Sequence, residues 1–160
     1  MTTNYRPRPE QPRGWGPHPG QGGNAPRTAF QPPTTQQLKA IIEDGDAKTL
    51  VESAQSVGQA LAEMKLASSQ IRSVFATTRQ IQMKWLPGAS EPSAKASIHQ
   101  LLLLKPRLAY QASRDQGQAV GKLKQVLEPA IDLVTNREQF THFAEYFEAI
   151  LAYHKAAGGD

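Results

Sequence analysis

Apolar side chains recur every three or four positions from residue 34 to the end of the chain, and no longer stretch alternates with period two. This period is typical of amphipathic helices. It predicts six helical segments, at about residues 34–44, 46–65, 68–85, 94–114, 118–134 and 137–157. The third segment places six positions within an arc of about 120°: Ile71, Val74, Phe75, Thr78, Ile81 and Trp85. The last stacks Phe140, Phe143, Ala144, Phe147, Ile150, Leu151 and His154 on one face. We therefore predict an all-α fold, a compact bundle of five to six helices.

Capping residues indicate where three of these helices begin. Thr34 and Gln37 have the spacing of a capping box, in which each side chain bonds to the other residue's backbone N–H. Asp46 is suited to cap the second helix, and Ser68 or Ser69 the third.

Two prolines lie inside predicted helices. Pro106 falls in segment 94–114 and Pro129 in segment 118–134. Because proline has no backbone N–H and its ring crowds the preceding turn, we expect a kink at Pro106 and a kink or break at Pro129.

The first 33 residues lack the apolar pattern of the rest of the chain. They contain eight of the 12 prolines and five of the 12 glycines, and few large apolar side chains. Such a segment buries too little apolar surface to offset the entropy of ordering it. We therefore divide the chain into a disordered tail, residues 1–33, and one helical-bundle domain, residues 34–160.

Composition excludes several classes of protein. The chain has no cysteine, so it has neither a disulfide framework nor a thiolate nucleophile. Its longest run of large apolar residues is Leu101–Leu104, whereas a membrane-crossing helix needs about 20. The N-terminus has no apolar signal segment. We expect a soluble, cytoplasmic protein with no membrane partner.

The net charge of +4 conceals blocks of opposite sign. Residues 65–124 carry +8 and the tail +3, whereas residues 34–64 carry −3 and residues 125–160 carry −4. The basic block coincides with the third and fourth predicted helices, so the folded domain should have one basic face. Such a face suits phosphate, although on charge alone a solvated surface is the simpler interpretation.

Arginines repeat at intervals of seven within the basic block. Arg72 and Arg79 flank the apolar face of the third helix, and Arg107 and Arg114 repeat the spacing on the fourth with Tyr110 between them. Guanidinium groups offer paired donors to phosphate, and a tyrosine ring offers a surface on which a base can stack. This pattern is compatible with binding to a nucleic acid backbone.

No group of residues supports catalysis. Glu138, His142 and Glu145 share an outer face of the last helix, but no second helix supplies matching metal ligands, so a solvated polar face is the simpler interpretation. His154 lies in the apolar stripe of that helix, which indicates a hydrogen-bonded core residue. Nucleotide-binding loops and hydrolase motifs are absent from the sequence. We predict no catalytic residue, no metal and no cofactor.

Three longer strings are distinctive when found together. They are Ser69-Gln-Ile-Arg-Ser-Val-Phe75, Leu103-Leu-Lys-Pro-Arg-Leu-Ala-Tyr-Gln-Ala112 followed by Arg114, and Phe143-Ala-Glu-Tyr-Phe-Glu-Ala-Ile-Leu-Ala-Tyr-His-Lys155. Their order and spacing over most of residues 45–156 resemble the small subunit of the type III-A CRISPR effector, the Csm complex. The tail lies outside this resemblance.

The resemblance implies a non-catalytic, all-helical subunit that acts in antiviral defence. Its partners would be the guide RNA and target RNA, other subunits of the effector, and further copies of itself stacked along the duplex. Cleavage of RNA and DNA would be performed by other subunits. The matching motifs place RNA contacts at Gln70, Arg72, Lys105, Arg107, Tyr110 and Arg114, and nearby cations add Arg79, Lys122 and Lys124. We expect Arg72, Arg107 and Arg114 to contribute most.

Two other functions stay open at this point. One is a helical protein-interaction adaptor with no nucleic acid role, whose basic face docks an acidic protein. The other is an independent RNA-binding regulator that relies on its Arg/Gly/Pro tail. Nucleic acid retained at low salt would argue against the first, and full RNA affinity without residues 1–33 would argue against the second.

Overall fold

A computed structural model describes residues 30–116 and 118–159 of the chain. Within these residues the backbone forms seven α-helices and no strand. The helices are α1 (Thr35–Ile42), α2 (Ala47–Glu63), α3 (Ser68–Lys84), α4 (Glu91–Leu102), α5 (Leu104–Arg114), α6 (Ala119–Asp132) and α7 (Arg137–Ala156). The all-α prediction is confirmed, and counting α4 and α5 as one broken segment gives the six helices expected. The predicted tail lies outside the described residues up to position 29.

The first two helices begin at the predicted caps. Thr34 Oγ1 accepts the backbone N–H of Gln37 at 3.2 Å, and Gln37 Oε1 accepts that of Thr34 at 2.9 Å. Asp46 Oδ1 accepts the N–H groups of Lys48 at 3.1 Å and Thr49 at 3.3 Å. Both caps satisfy backbone donors that have no partner inside the helix.

Helix α3 begins differently from the prediction. Ser68 is already its first helical residue, and the residue before it, Ala67, has no side-chain acceptor. Instead, Gln70 Oε1 accepts the backbone N–H of Ala67 at 3.2 Å. Neither Ser68 nor Ser69 caps this helix, and Gln70 has a local structural role.

The predicted fourth helix is interrupted at Leu103, between α4 and α5. Pro106 is the third residue of α5, where a missing N–H costs nothing because first-turn donors have no helical partner. Its ring would clash with the carbonyl four residues earlier, at Leu102, where α4 ends. Pro129, by contrast, lies inside α6 without ending it.

Helix α7 forms the centre of the bundle. It packs against α1, α2, α3 and α6, and its contact with α2 is the most extensive between any two helices described. The two helices meet most closely at Gly58, where an added Cβ would lie 2.7 Å from the Ile150 carbonyl oxygen and 2.8 Å from the His154 backbone nitrogen. Only a residue without a side chain allows this approach.

Apolar side chains from all seven helices form one core. The stripe predicted for α3 is buried, apart from Phe75, which is half-buried. Trp85, just after α3, stacks on Phe140 of α7 with ring centroids 5.5 Å apart. The core also includes Tyr146, which the predicted stripe of α7 omitted.

Buried polar side chains in this core are hydrogen-bonded. The hydroxyl oxygens of Tyr146 and Ser53 lie 2.7 Å apart, and burial raises the pKa of Tyr146 to about 12. His154 Nε2 donates to the Leu66 carbonyl at 2.8 Å. The prediction of a hydrogen-bonded core histidine is confirmed, and it links α7 to the segment between α2 and α3.

Candidate nucleic-acid interface

Helices α3 and α5 lie side by side and leave a shallow groove between them. The groove has a volume of about 280 Å³ and is lined by Ser73, Val74, Pro106, Arg107, Tyr110 and Gln111. Val74 belongs to the buried stripe of α3, whereas Arg107 and Tyr110 are exposed. The groove therefore has an apolar base with a cation and an aromatic ring at its edge.

Arg107 reaches across the groove from α5 to α3. Its Nη1 donates to the hydroxyl of Thr77 at 2.8 Å. It makes no ion pair with a carboxylate among the described residues. The hydroxyl orients the guanidinium without neutralising it, so most of its five N–H donors stay available to an anion.

Tyr110 and Arg114 form a pair one turn further along α5. Tyr110 is 59 % exposed, which is high for an aromatic residue. Arg114 Nη1 donates to its hydroxyl at 3.2 Å, and the guanidinium carbon lies 5.6 Å from the ring centroid. This contact combines a hydrogen bond with a cation–π interaction and holds a positive charge beside an exposed ring.

Arg72 lies on the opposite flank of α3. At about 100° per residue, Arg72 and Arg79 point to one side of the buried stripe, and Ser73 and Thr77 to the other. Arg72 borders a smaller groove with residues of α7, including Leu151, and has no ion pair or hydrogen bond among the described residues. The predicted basic face therefore has two edges, separated by the exposed ridge of α3.

Other predicted RNA contacts are neutralised within the domain. Arg79 Nη2 lies 3.2 Å from Glu148, Lys105 Nζ lies 2.6 Å from Asp132 and Lys124 Nζ lies 3.4 Å from Glu128. Such surface pairs contribute little stability, about 0–1 kcal/mol. They nevertheless place a carboxylate within a few ångströms of each cation, so a phosphate there would meet a nearby negative charge.

The remaining two candidates lie apart from the groove. The amide oxygen of Gln70 is engaged at the start of α3. Lys122 Nζ lies 5.7 Å from the ring centroid of Phe30, which borders a groove along α2. The structure thus brings Arg107, Tyr110 and Arg114 together, with Arg72 across α3, and leaves the others elsewhere or paired.

Sequence reasoning missed the neutral residues of the groove. Ser73 and Gln111 lie inside the two strings that carry the resemblance, but neither they nor Thr77, which bonds to Arg107, were selected, because uncharged polar residues are common on exposed helical faces. Pro106 was interpreted as a helix breaker and not as a binding residue, yet it also lines the groove. Recognising these residues requires knowing that α3 packs against α5.

The candidates for metal chemistry are not assembled into a site. His142 is half-buried, and its Nδ1 donates to the Ile42 carbonyl at the end of α1 at 2.8 Å. Within residues 30–116 and 118–159, no three His, Asp or Glu side chains are grouped so as to hold a metal ion. None of the helices in the described part of the chain has the length and hydropathy needed to cross a bilayer.

These features define a class: a small all-helical domain whose surface carries a groove with an apolar base, bordered by an exposed arginine and an exposed tyrosine. A family model described as Csm2 Type III-A matches residues 44–160. The chain belongs to this family, and the resemblance drawn from the sequence is confirmed. The protein is thus a structural, non-catalytic subunit of the type III-A CRISPR effector, and the other Csm subunits are its partners. No curated protein and no solved structure matches the chain.

Proposed function

We propose that this subunit holds the guide RNA–target RNA duplex of the effector by its sugar–phosphate backbone, through the face formed by α3 and α5. Several copies stack along the duplex and bridge neighbouring subunits. Other subunits cleave RNA and DNA, and the complex acts in the cytoplasm. Arg107, Arg114 and Arg72 make the main phosphate contacts. Arg79, Lys105, Lys122 and Lys124 contribute less.

The observation that carries this proposal is the unpaired guanidinium of Arg107 beside an exposed tyrosine. Arg107 is oriented by the Thr77 hydroxyl but faces no carboxylate in the described residues. A cation in this state binds phosphate without first giving up an ion pair. Arg114, held against Tyr110, extends the positive edge by one helical turn.

Backbone contacts suit a protein whose RNA is selected by base pairing. In such an assembly the guide reads the target sequence, and the protein needs only to recognise charge and shape. The flanks of α3 provide cations at two edges, Arg72 on one side and Arg107 on the other. A nucleic acid backbone that crosses the ridge of α3 would meet both.

Contact between copies is supported by the exposed carboxylates of α7. Glu138 and Glu145 are exposed and have no ion pair among the described residues, whereas Glu148 pairs with Arg79. The acidic face of one copy could therefore meet the basic face of the next. If sedimentation finds only monomer at every concentration and salt, both without and with a long RNA, stacking of copies is contradicted.

The test compares two double variants that each remove two positive charges, one from cations without an ion pair among the described residues and one from cations that form ion pairs. The double variant Arg107→Gln, Arg114→Gln removes two unpaired charges, and Lys105→Gln, Lys124→Gln removes two charges that face carboxylates. RNA affinity is measured against salt for both variants and the native protein. Losing two phosphate contacts should reduce the magnitude of the log–log salt slope by about 1.4 on single-stranded RNA, at about 0.7 per phosphate, and by about 1.8 on a duplex if each phosphate contributes about 0.9 as in B-form DNA.

The control pair should change that slope by less than half as much. Arg107 and Arg114 are exposed, and the side chains of Lys105 and Lys124 are still 31 % and 34 % exposed, so circular dichroism should show intact helices in both variants. Equal losses in the two variants would contradict the assignment of the RNA contact to α5, and an unchanged slope in both would contradict RNA binding by this face.

A further inference from the structure

The α3–α5 groove has more than a charged edge. Its base is apolar at Val74, one side carries the Pro106 ring, and Tyr110 stands exposed beside them. Drug-sized ligands occupy sites of roughly 300–1,000 Å³, so the 280 Å³ of this groove suits something smaller. One flat ring system would fit, whereas a helix or a long peptide would not.

Two neutral side chains of the lining have unused hydrogen-bonding groups. The Ser73 hydroxyl and the Gln111 amide make no side-chain hydrogen bond within the described residues. An amide offers both donors and an acceptor, and a hydroxyl offers one donor and two lone pairs. The edge of a nucleobase carries the same mixture of donors and acceptors.

Charge narrows the choice of ligand further. Arg107 lies on the rim with no carboxylate partner in the described part of the chain, and Arg114 lies just beyond Tyr110. The ligand should therefore combine a flat, partly polar ring with a negative charge a few ångströms away. A nucleotide has this combination, and a neutral apolar side chain of another protein does not.

We propose that the groove binds one unpaired nucleobase of the RNA, stacked against Tyr110, with the adjoining phosphate on Arg107. This inference rests on the proposed function and adds a base-binding site to it. Ser73 and Gln111 bond to the edge of the base, and both can rotate to suit different bases, so the site is tolerant of sequence. A base inside a continuous duplex cannot enter, because its faces are covered by neighbouring pairs.

The test uses the full chain with two probes, single-stranded oligoadenylate and the blunt duplex that it forms with oligouridylate. Tyr110→Ala should weaken binding of the single strand by roughly 5- to 150-fold, which is what one base–aromatic stack contributes. Binding of the duplex should change by less than about twofold, since no base leaves the stack. Tyr110→Phe keeps the ring and should bind the single strand nearly as well as the native protein.

Met83→Ala is the matched control, because this uncharged side chain is 73 % exposed on α3 and does not line the groove, and it should leave binding of both probes unchanged. Equal weakening of single strand and duplex by Tyr110→Ala would overturn the base site. The base site would also be overturned if Arg107→Gln weakened binding of both probes and Tyr110→Ala weakened binding of neither. In that case only the proposed contact with the RNA backbone would be supported. If the native protein binds neither probe at low salt, both proposals fail and an acidic protein is the better candidate for the groove.

Discussion

The close approach of α2 to α7 gives the sharpest prediction about the fold. Gly58→Ala adds one Cβ, placed 2.7 Å from both the Ile150 carbonyl oxygen and the Tyr153 Cβ, and 2.8 Å from the His154 nitrogen. Two of these three neighbours are backbone atoms. No rotation of a side chain can therefore relieve the clash, and α7 has to move.

The expected cost is the difference between two effects. Overpacking of a well-packed core costs about 1–3 kcal/mol, and we expect the upper half of that range because the neighbours are backbone. Alanine is favoured over glycine inside a helix by about 0.5–1 kcal/mol. The net loss should be about 1–2.5 kcal/mol, or roughly 3–12 °C in the midpoint of thermal unfolding for a domain of this size.

Gly121→Ala is the matched control for this substitution. Gly121 also lies inside a helix, α6, but an added Cβ there meets nothing within 4 Å. It should raise the free energy of unfolding by up to about 1 kcal/mol. Both variants are compared by urea denaturation followed by circular dichroism. If Gly58→Ala is as stable as Gly121→Ala, the α2–α7 packing described here is wrong.

Three further predictions concern titration and the buried histidine. The pKa of Asp46 is lowered, mainly because its carboxylate accepts a hydrogen bond from the Thr49 hydroxyl. The cap should therefore weaken as the pH falls through the acid range, and amide exchange at the start of α2 should accelerate over the same range. Asp46→Asn should remove this pH dependence. Burial raises the pKa of Tyr146 to about 12, whereas an unfolded tyrosine has a pKa near 10.0. Because only the unfolded state loses the proton between pH 10.0 and about 12, the free energy of unfolding should fall there by up to ~1.4 kcal/mol per pH unit. The fall should be less steep in Tyr146→Phe, as measured by urea denaturation across this pH range. His154→Ala should lower the free energy of unfolding, measured by urea denaturation, by about 2–4 kcal/mol, because it leaves a cavity and an unpaired carbonyl. His99→Ala, at an exposed position, should lower it by less than about 0.5 kcal/mol. Similar losses in the two variants would contradict the burial of His154.

The helices themselves could be predicted well, because their signals are local. The capping box at Thr34 and the cap at Asp46 involve residues within three positions of each other. The start of α3 was predicted less accurately, since Gln70 rather than a serine satisfies the first backbone donor. At Pro106 the disturbance was foreseen, and the structure shows it as a break at Leu103.

Burial around α7 could be predicted only in part. The stripe that includes Phe140, Phe143 and Phe147 is visible from spacing, since one apolar face is enough to show it. Tyr146 lies about 40° beyond the edge of that stripe at Ile150, and it is buried because α2 covers this part of the helix, where Ser53 bonds to its hydroxyl. A helix with several neighbours buries a broader face, and periodicity alone does not show how far that face extends.

The candidate interface could likewise be predicted only in part from the sequence. Sequence spacing and resemblance were enough to identify a basic, non-catalytic helical subunit and to select Arg72, Arg107, Tyr110 and Arg114 as candidates. They ranked Arg107 above Lys105, two residues apart in the same motif, but could not show which of the two cations has a carboxylate partner. The structure pairs Lys105 with Asp132, whereas Arg107 donates to the Thr77 hydroxyl and forms no ion pair among the described residues.

The sequence by itself therefore determined the all-α class, most helix boundaries, the family and the sign of the charge in each block. These properties depend on residues close together in the chain or on the chain's own composition. Tertiary structure alone decided which cations of the described residues have no ion pair, that α3 and α5 form a groove, and that the buried face of α7 extends to Tyr146. Each of these depends on pairs of residues far apart in sequence, such as Arg107 with Thr77 or Ser53 with Tyr146, which come into contact only when the helices pack.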